Sequence, residues 1–184
     1  KKLGRTLGMI YKIRNLCTPN VLRSLYFSLF NSHMSYGLAV WGQCIKEYSE
    51  KINILQKKIV RAISFAEYDA PSKPIMKELR ILSFEDLYKT QIASLMWDFD
   101  HGSLPHSLNS LFTRRTELHS LNLRNVSEGR LYTSNRFNNG YGKNSFSKIG
   151  SKFLNDLKDS GLYLFADSKF VFMKKYKNSI FETY

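Results

Sequence analysis

Few residues in this chain could do chemistry, and their spacing narrows what they could do. Asp98-Phe99-Asp100 comes nearest to a carboxylate pair. Side chains two positions apart on a helix point to different faces, so the pair reads as an acidic helix end. No Asp-Asp pair occurs, so the carboxylate set that would hold two metal ions around a transferring phosphoryl group is missing. His101 and His106 are separated by a Gly and a Pro, which is not a helical i, i+4 metal pair. His33 and His119 have no Cys or His at ligand spacing. Cys17 and Cys44 make no CxxC and indicate neither a zinc finger nor a disulfide framework. They read as packed thiols of an intracellular protein. No elbow motif presents a serine nucleophile. The segment alone therefore carries no catalytic residue, no metal site and no cofactor.

What the chain has in excess is positive charge. The formal net charge is +13 over 184 residues, a value that calls for an anionic partner. Residues 1–46 hold Lys1, Lys2, Arg5, Lys12, Arg14, Arg23 and Lys46 and no acid. From 62 to 100, seven acids outweigh four bases; from 101 to 152, eight bases outweigh Glu117 and Glu128. A polyanion gripped by several cations releases condensed counterions, which points to nucleic acid. The cations are dispersed and do not form one amphipathic basic face, and no apolar run reaches 18 residues. A membrane partner is not expected.

Two groups of cations stand out. Lys57, Lys58 and Arg61 fall opposite Ile59, Val60 and Ile63 on a helix, either as a phosphate-facing row or as a solvated face. Arg114, Arg115, Arg124, Arg130, Arg136 and Lys143 are interleaved with Tyr132, Phe137 and Tyr141. That composition suits a single-strand or hybrid-binding surface, or else a soluble linker.

The elements that would position these groups are mainly helical. Leu3, Leu7, Ile10 and Ile13 recur at helical spacing. Thr18-Pro19 then starts a helix bearing Val21, Leu22, Leu25, Tyr26, Leu29 and Phe30. Gly37 and Gly42 bracket Trp41 in a bend. Another helix is predicted over 48–65, and Pro71 and Pro74 mark a connection. Ser83-Phe84-Glu85-Asp86 is a variant capping box, opening a helix that Gly102 ends. Residues 113–145 are expected to be extended and loop-rich, with room for one short strand pair. Helix returns over 146–158, and Asp167-Ser168 caps a last one. The predicted fold is an irregular, mainly α domain over 1–112, followed by a basic, loop-rich linker and C-terminal helices over 113–184.

The order of short motifs carries a further signal. Ser32-His33-Met34-Ser35-Tyr36-Gly37 runs into Trp41-Gly42, then Leu55-Gln56-Lys57-Lys58, Ile81-Leu82-Ser83-Phe84-Glu85-Asp86-Leu87-Tyr88, His119-Ser120-Leu121-Asn122-Leu123-Arg124-Asn125 and Tyr141-Gly142-Lys143-Asn144-Ser145-Phe146. This series resembles the region just C-terminal to the polymerase core in jockey-like non-LTR retrotransposon reverse transcriptases. The pattern departs at Ser35, at Leu123 and at Phe153-Leu154-Asn155-Asp156-Leu157-Lys158, where relatives carry Asn, Thr and Leu-Trp-Asn-Ser-Leu-Pro. The resemblance implies a thumb-like helical unit and linker that hold RNA template, RNA–DNA hybrid or target DNA. It implies an upstream polymerase core in cis, a parent RNA-directed DNA polymerase using Mg2+, and residence in nucleus and cytoplasm. A chain that begins Lys1-Lys2-Leu3 without Met reads as a fragment. The alternative is a stand-alone or relict helical module that binds nucleic acid without a polymerase role. His33, Tyr36, Gly37, Trp41 and Gly42 would be structural, with Tyr36 and Trp41 anchoring the bend between helices. The other reading sets His33 or Tyr36 against a nucleic-acid strand.

Overall fold

The computed structural model describes residues 2–43, 46–114, 131, 145–160 and 168–184. Within them the fold is mainly helical, as expected: α1 Lys2–Ile13, a 3-10 turn at Arg14–Leu16, α2 Pro19–Leu25, a π-helical segment Tyr26–Asn31, α3 Ser32–Ser35, α4 Leu38–Trp41, α5 Lys46–Ser64, α6 Ser72–Glu78, α7 Phe84–Asp100, α8 His106–Asn109, α9 Phe146–Asp159 and α10 Lys169–Glu182. The strand pair expected in 113–145 is represented, among the described residues, by one antiparallel bridge between Arg114 and Leu131.

The chain forms two compact units, Lys1–Lys89 with Ser179–Tyr184, and Thr90–Asn178. The division falls inside α7 and α10. Each of these two helices contributes residues to both units.

In the first unit α5 packs against α1, α2 and α6. Its core contains a ladder with a spacing of four: Leu22, Tyr26, Phe30, Met34 and Leu38 are all fully buried. An α-helix at 3.6 residues per turn drifts by about 40° at each such step. The wider π segment Tyr26–Asn31 offsets that drift and keeps the ladder facing inward. Tyr26 and Phe30 consequently stack, with ring centroids 5.4 Å apart.

A buried amide ties this unit together. Gln56, fully buried, donates from Nε2 to Tyr26 Oη at 2.9 Å and to the Leu82 carbonyl at 2.8 Å. Its Oε1 accepts the Phe84 N–H at 2.9 Å. Each group would otherwise lose its hydrogen-bonding partner on leaving water. Burial pushes the Tyr26 phenol far above its ordinary value.

The capping box also forms. Ser83 Oγ accepts the Asp86 N–H at 3.2 Å and donates to Asp86 Oδ2 at 2.6 Å. Tyr184 joins from the far end of the chain, donating to Asp86 Oδ2 at 2.6 Å and accepting the Ser83 N–H at 2.8 Å. Burial, followed by the hydrogen bond to Asp86, pushes its phenol up to about 12.

The second unit is built on rings. Trp97 stacks on Phe172 at 4.7 Å, and Phe112 meets Phe99 at 4.8 Å and Phe146 at 5.5 Å. Gly150 of α9 leaves the space these rings need: a Cβ there would lie 2.7 Å from Met96 Sδ and 3.0 Å from Phe112 Cε1. Asn155 clamps the buried Leu131, accepting its N–H at 3.0 Å and donating to its carbonyl at 3.1 Å.

Candidate nucleic-acid interface

Positive charge in the first unit concentrates on two helices in contact. On α1 and the turn after it lie Arg5, Lys12 and Arg14; on α5 lie Lys57, Lys58 and Arg61. The apolar stripe of α1 explains the arrangement, because Ile10 is buried while Arg5 and Lys12 face solvent. On α5 the same logic buries Gln56, Ile59, Val60, Ala62 and Ile63. Arg5, Lys12, Lys57 and Lys58 make no ion pair among the described residues. The acids of α5 are taken up locally, Glu47 by Lys51 and Glu50 by Lys46 across one helical turn. Such exposed pairs contribute little to stability, and both carboxylates lie near the start of α5, away from Lys57, Lys58 and Arg61.

The expected row Lys57-Lys58-Arg61 does not act as one face. Lys57 lines a cleft of about 340 Å³ with Lys73, Glu85, Asp86 and Tyr184. Lys58 and Arg61 line a separate recess of about 180 Å³ with Arg14, Tyr11 and Tyr68. Arg61 also has an internal role, donating from Nε to the Ala70 carbonyl at 2.7 Å and so pinning the turn after α5. The guanidinium of Arg14 lies over the Phe65 ring at 4.8 Å and the Tyr11 ring at 6.0 Å.

Two other expected contacts are committed to the fold. Arg23 donates from Nε to the Leu79 carbonyl at 2.6 Å and stacks over Phe27 at 4.8 Å. It is therefore a tie within the first unit. Arg114 pairs with Asp100 at 3.4 Å and lies over Phe99 at 5.4 Å in the second. Asp100 also receives Lys158 at 3.2 Å, while Asp98 takes Lys169. The two carboxylates of Asp98-Phe99-Asp100 thus serve different cations, as their helical spacing implies. Arg115, Arg124, Arg130 and Lys143 lie outside the described residues, as do Arg136, His119, Tyr132, Phe137, Tyr141 and Cys44.

The motif residues around the bend separate by role. Gly37 has φ +62°, the left-handed conformation glycine adopts without strain. Gly42 has an ordinary helical backbone and is required for space, since a Cβ would lie 2.1 Å from the Tyr88 ring. Trp41 anchors the bend: its Nε1 donates to the Tyr36 carbonyl at 2.7 Å and its ring stacks on Phe84 at 5.5 Å. Tyr36 does not. The residue is 85% exposed, because the Tyr36 backbone supplies the contact and the side chain turns outward. His33 is exposed as well.

Sequence reasoning missed Tyr11 and Tyr68, which line the Arg14–Lys58–Arg61 recess, and Phe65, whose ring lies beneath Arg14. Tyr11 could have been found from its place beside the cations of Tyr11-Lys12-Ile13-Arg14; Phe65 and Tyr68 come from a turn with no periodic signal. Among the described residues no group of three or more His, Cys, Asp or Glu side chains could hold a metal ion. No helix among them is long and apolar enough to cross a membrane. The chain matches no protein-family model, no curated protein and no solved structure.

Proposed function

We propose that this chain is the post-catalytic, thumb-like part of a non-LTR retrotransposon reverse transcriptase, holding template and product by their phosphate backbone behind a polymerase core in cis. The observation that supports it most is the pair of contacting helices α1 and α5. Their cations Arg5, Lys12, Lys57 and Lys58 are left without carboxylate partners among the described residues. Cations so placed gain most from a row of phosphates, and a backbone grip reads little sequence. Chemistry is assigned to the upstream core, where Mg2+ would sit on aspartates this chain does not carry.

The test is binding of the 184-residue chain to an RNA–DNA hybrid across a salt series. Raising salt from 50 to 200 mM should weaken affinity about 40-fold if roughly three phosphates are contacted. Replacing Arg5, Lys12, Lys57 and Lys58 together by Gln should weaken all sequences alike and flatten the salt slope. Affinity unchanged by that fourfold replacement would remove the α1–α5 surface from the reading.

A further inference from the structure

We propose that the recess between α1 and α5 is a seat for one phosphate of a polynucleotide strand, held by Arg14, Lys58 and Arg61, with Tyr11 and Tyr68 beside it for the attached sugar and base. This assignment rests on the nucleic-acid reading above and names the point where the strand is gripped most closely.

Three properties of the recess carry it. The first is charge: three cations line it and no acid does. The second is size. At about 180 Å³ it falls below the 300–1,000 Å³ of drug-sized sites and suits a phosphoryl group with its ester.

The third is the state of Arg14. Its Nε is sealed from solvent and has no acceptor among the described residues. An Nε–H closed off from water and from any acceptor is costly, and an anion entering the recess offsets that cost by its attraction for the guanidinium charge. The phosphate would meet Arg14 through its terminal amino nitrogens, which form a planar fork matched to phosphate oxygens.

The ring of Phe65 beneath Arg14 holds that fork in plane, so little ordering remains to be done on binding. Phe65 does this from a left-handed backbone, φ +56°, a conformation that costs a non-glycine residue about 1 kcal/mol or more. The outlier places an aromatic surface under the arginine where glycine would end the helix without strain. Arg61, tethered to Ala70, fixes the turn that carries Phe65 and Tyr68.

Fluorescence anisotropy of the full chain with 3′-labelled RNA, DNA and hybrid decides it, each strand carrying either a 5′-phosphate or a 5′-hydroxyl. Lys58→Gln alters only the rim, Arg14→Lys keeps charge but loses the stacked fork, and Arg114→Gln in the other unit is the control. Thermal unfolding of each variant separates binding loss from unfolding. Lys58→Gln and Arg14→Lys should each weaken binding about fivefold to tenfold, as loss of one charge-assisted contact does, while Arg114→Gln leaves affinity unchanged. A deficit confined to 5′-phosphorylated strands assigns a terminal phosphate; an equal deficit on all strands assigns an internal phosphodiester. Wild-type affinity in both Lys58→Gln and Arg14→Lys overturns the seat and leaves the nucleic-acid reading intact. Failure of the wild-type chain to bind any strand overturns both; pyrophosphate then tells whether the recess binds a bare anion, by raising the melting temperature of wild type but not of Lys58→Gln.

Discussion

In the second unit cations are answered by acids: Arg114 and Lys158 by Asp100, and Lys169 by Asp98. In the first, Arg14 has an aromatic ring beneath it and no carboxylate beside it, and Lys58 opens on the same recess. The same residue type thus does two jobs within one chain. Arg114 spends its charge on the fold, so its removal should be felt as stability. Arg14 keeps its charge uncompensated, so its removal should be felt as binding. The net charge of +13 is therefore no uniform coat. How much of it can reach a partner depends on where the fold puts the acids, and none of them lines the recess around Arg14.

The cores contrast too, one keyed by a buried amide and the other by stacked rings, and four measurements bear on the difference. Gln56→Leu should have the largest effect. It strands the Tyr26 hydroxyl, the Leu82 carbonyl and the Phe84 N–H together, at a cost of about 3 kcal/mol or more. Urea unfolding that shows less than about 1 kcal/mol would erase the amide's special place. Asn155→Ala should cost about 1–2 kcal/mol, since it removes both bonds to the Leu131 backbone. If it cost as much as Gln56→Leu, the two units would depend equally on polar keys.

High pH offers a smaller, signed effect. The Tyr184 phenol titrates near 12 in the fold and near 10 when unfolded. The unfolded chain therefore gives up that proton first, and stability present below about pH 10 drains away as pH rises towards 12. Tyr184→Phe should flatten part of that decline between about pH 10 and 12, as read from urea midpoints. An unaltered pH profile would show that the phenol is as easily ionised in the fold as out of it. The smallest change belongs to Tyr36→Ala. With its ring in solvent, stability should shift by no more than about 0.5 kcal/mol; a larger loss would return Tyr36 to the anchoring role that Trp41 holds.

Much of the helical scaffold was legible because it follows from local rules. The Ser83 capping box, the Gly102 terminator with φ +67° and the helices over 48–65 and 146–158 all rest on neighbouring residues. Asn155, Gln56 and the Arg14 recess were not legible, because each depends on partners from distant turns. Gln56 in particular looks like a surface residue beside Lys57 and Lys58. Only the arrival of Tyr26, Leu82 and Phe84 makes burying it favourable. Pro71 and Pro74 were read as a connection, yet Pro74 sits in the first turn of α6, where no helical N–H is needed. The stretch from Ser32 to Trp41 holds α3 and α4, each four residues long and too short to leave a periodic trace. Among the binding candidates, position on a helix identified Arg5, Lys12, Lys57 and Lys58 as outward-facing. It could not reveal that Arg23 and Arg114 would be claimed by a carbonyl and a carboxylate.

Tyr184 reaches back across 98 residues to Asp86, and this long reach sets an order of events during synthesis. A ribosome adding about 5–20 residues per second must make the whole of Thr90–Asn178 before the last six residues of the first unit exist. For roughly ten seconds the leading helices wait with the Ser83–Asp86 cap lacking its phenol. Closure of the older half is thus timed by completion of the younger one, and a chain stalled midway would remain open at that corner.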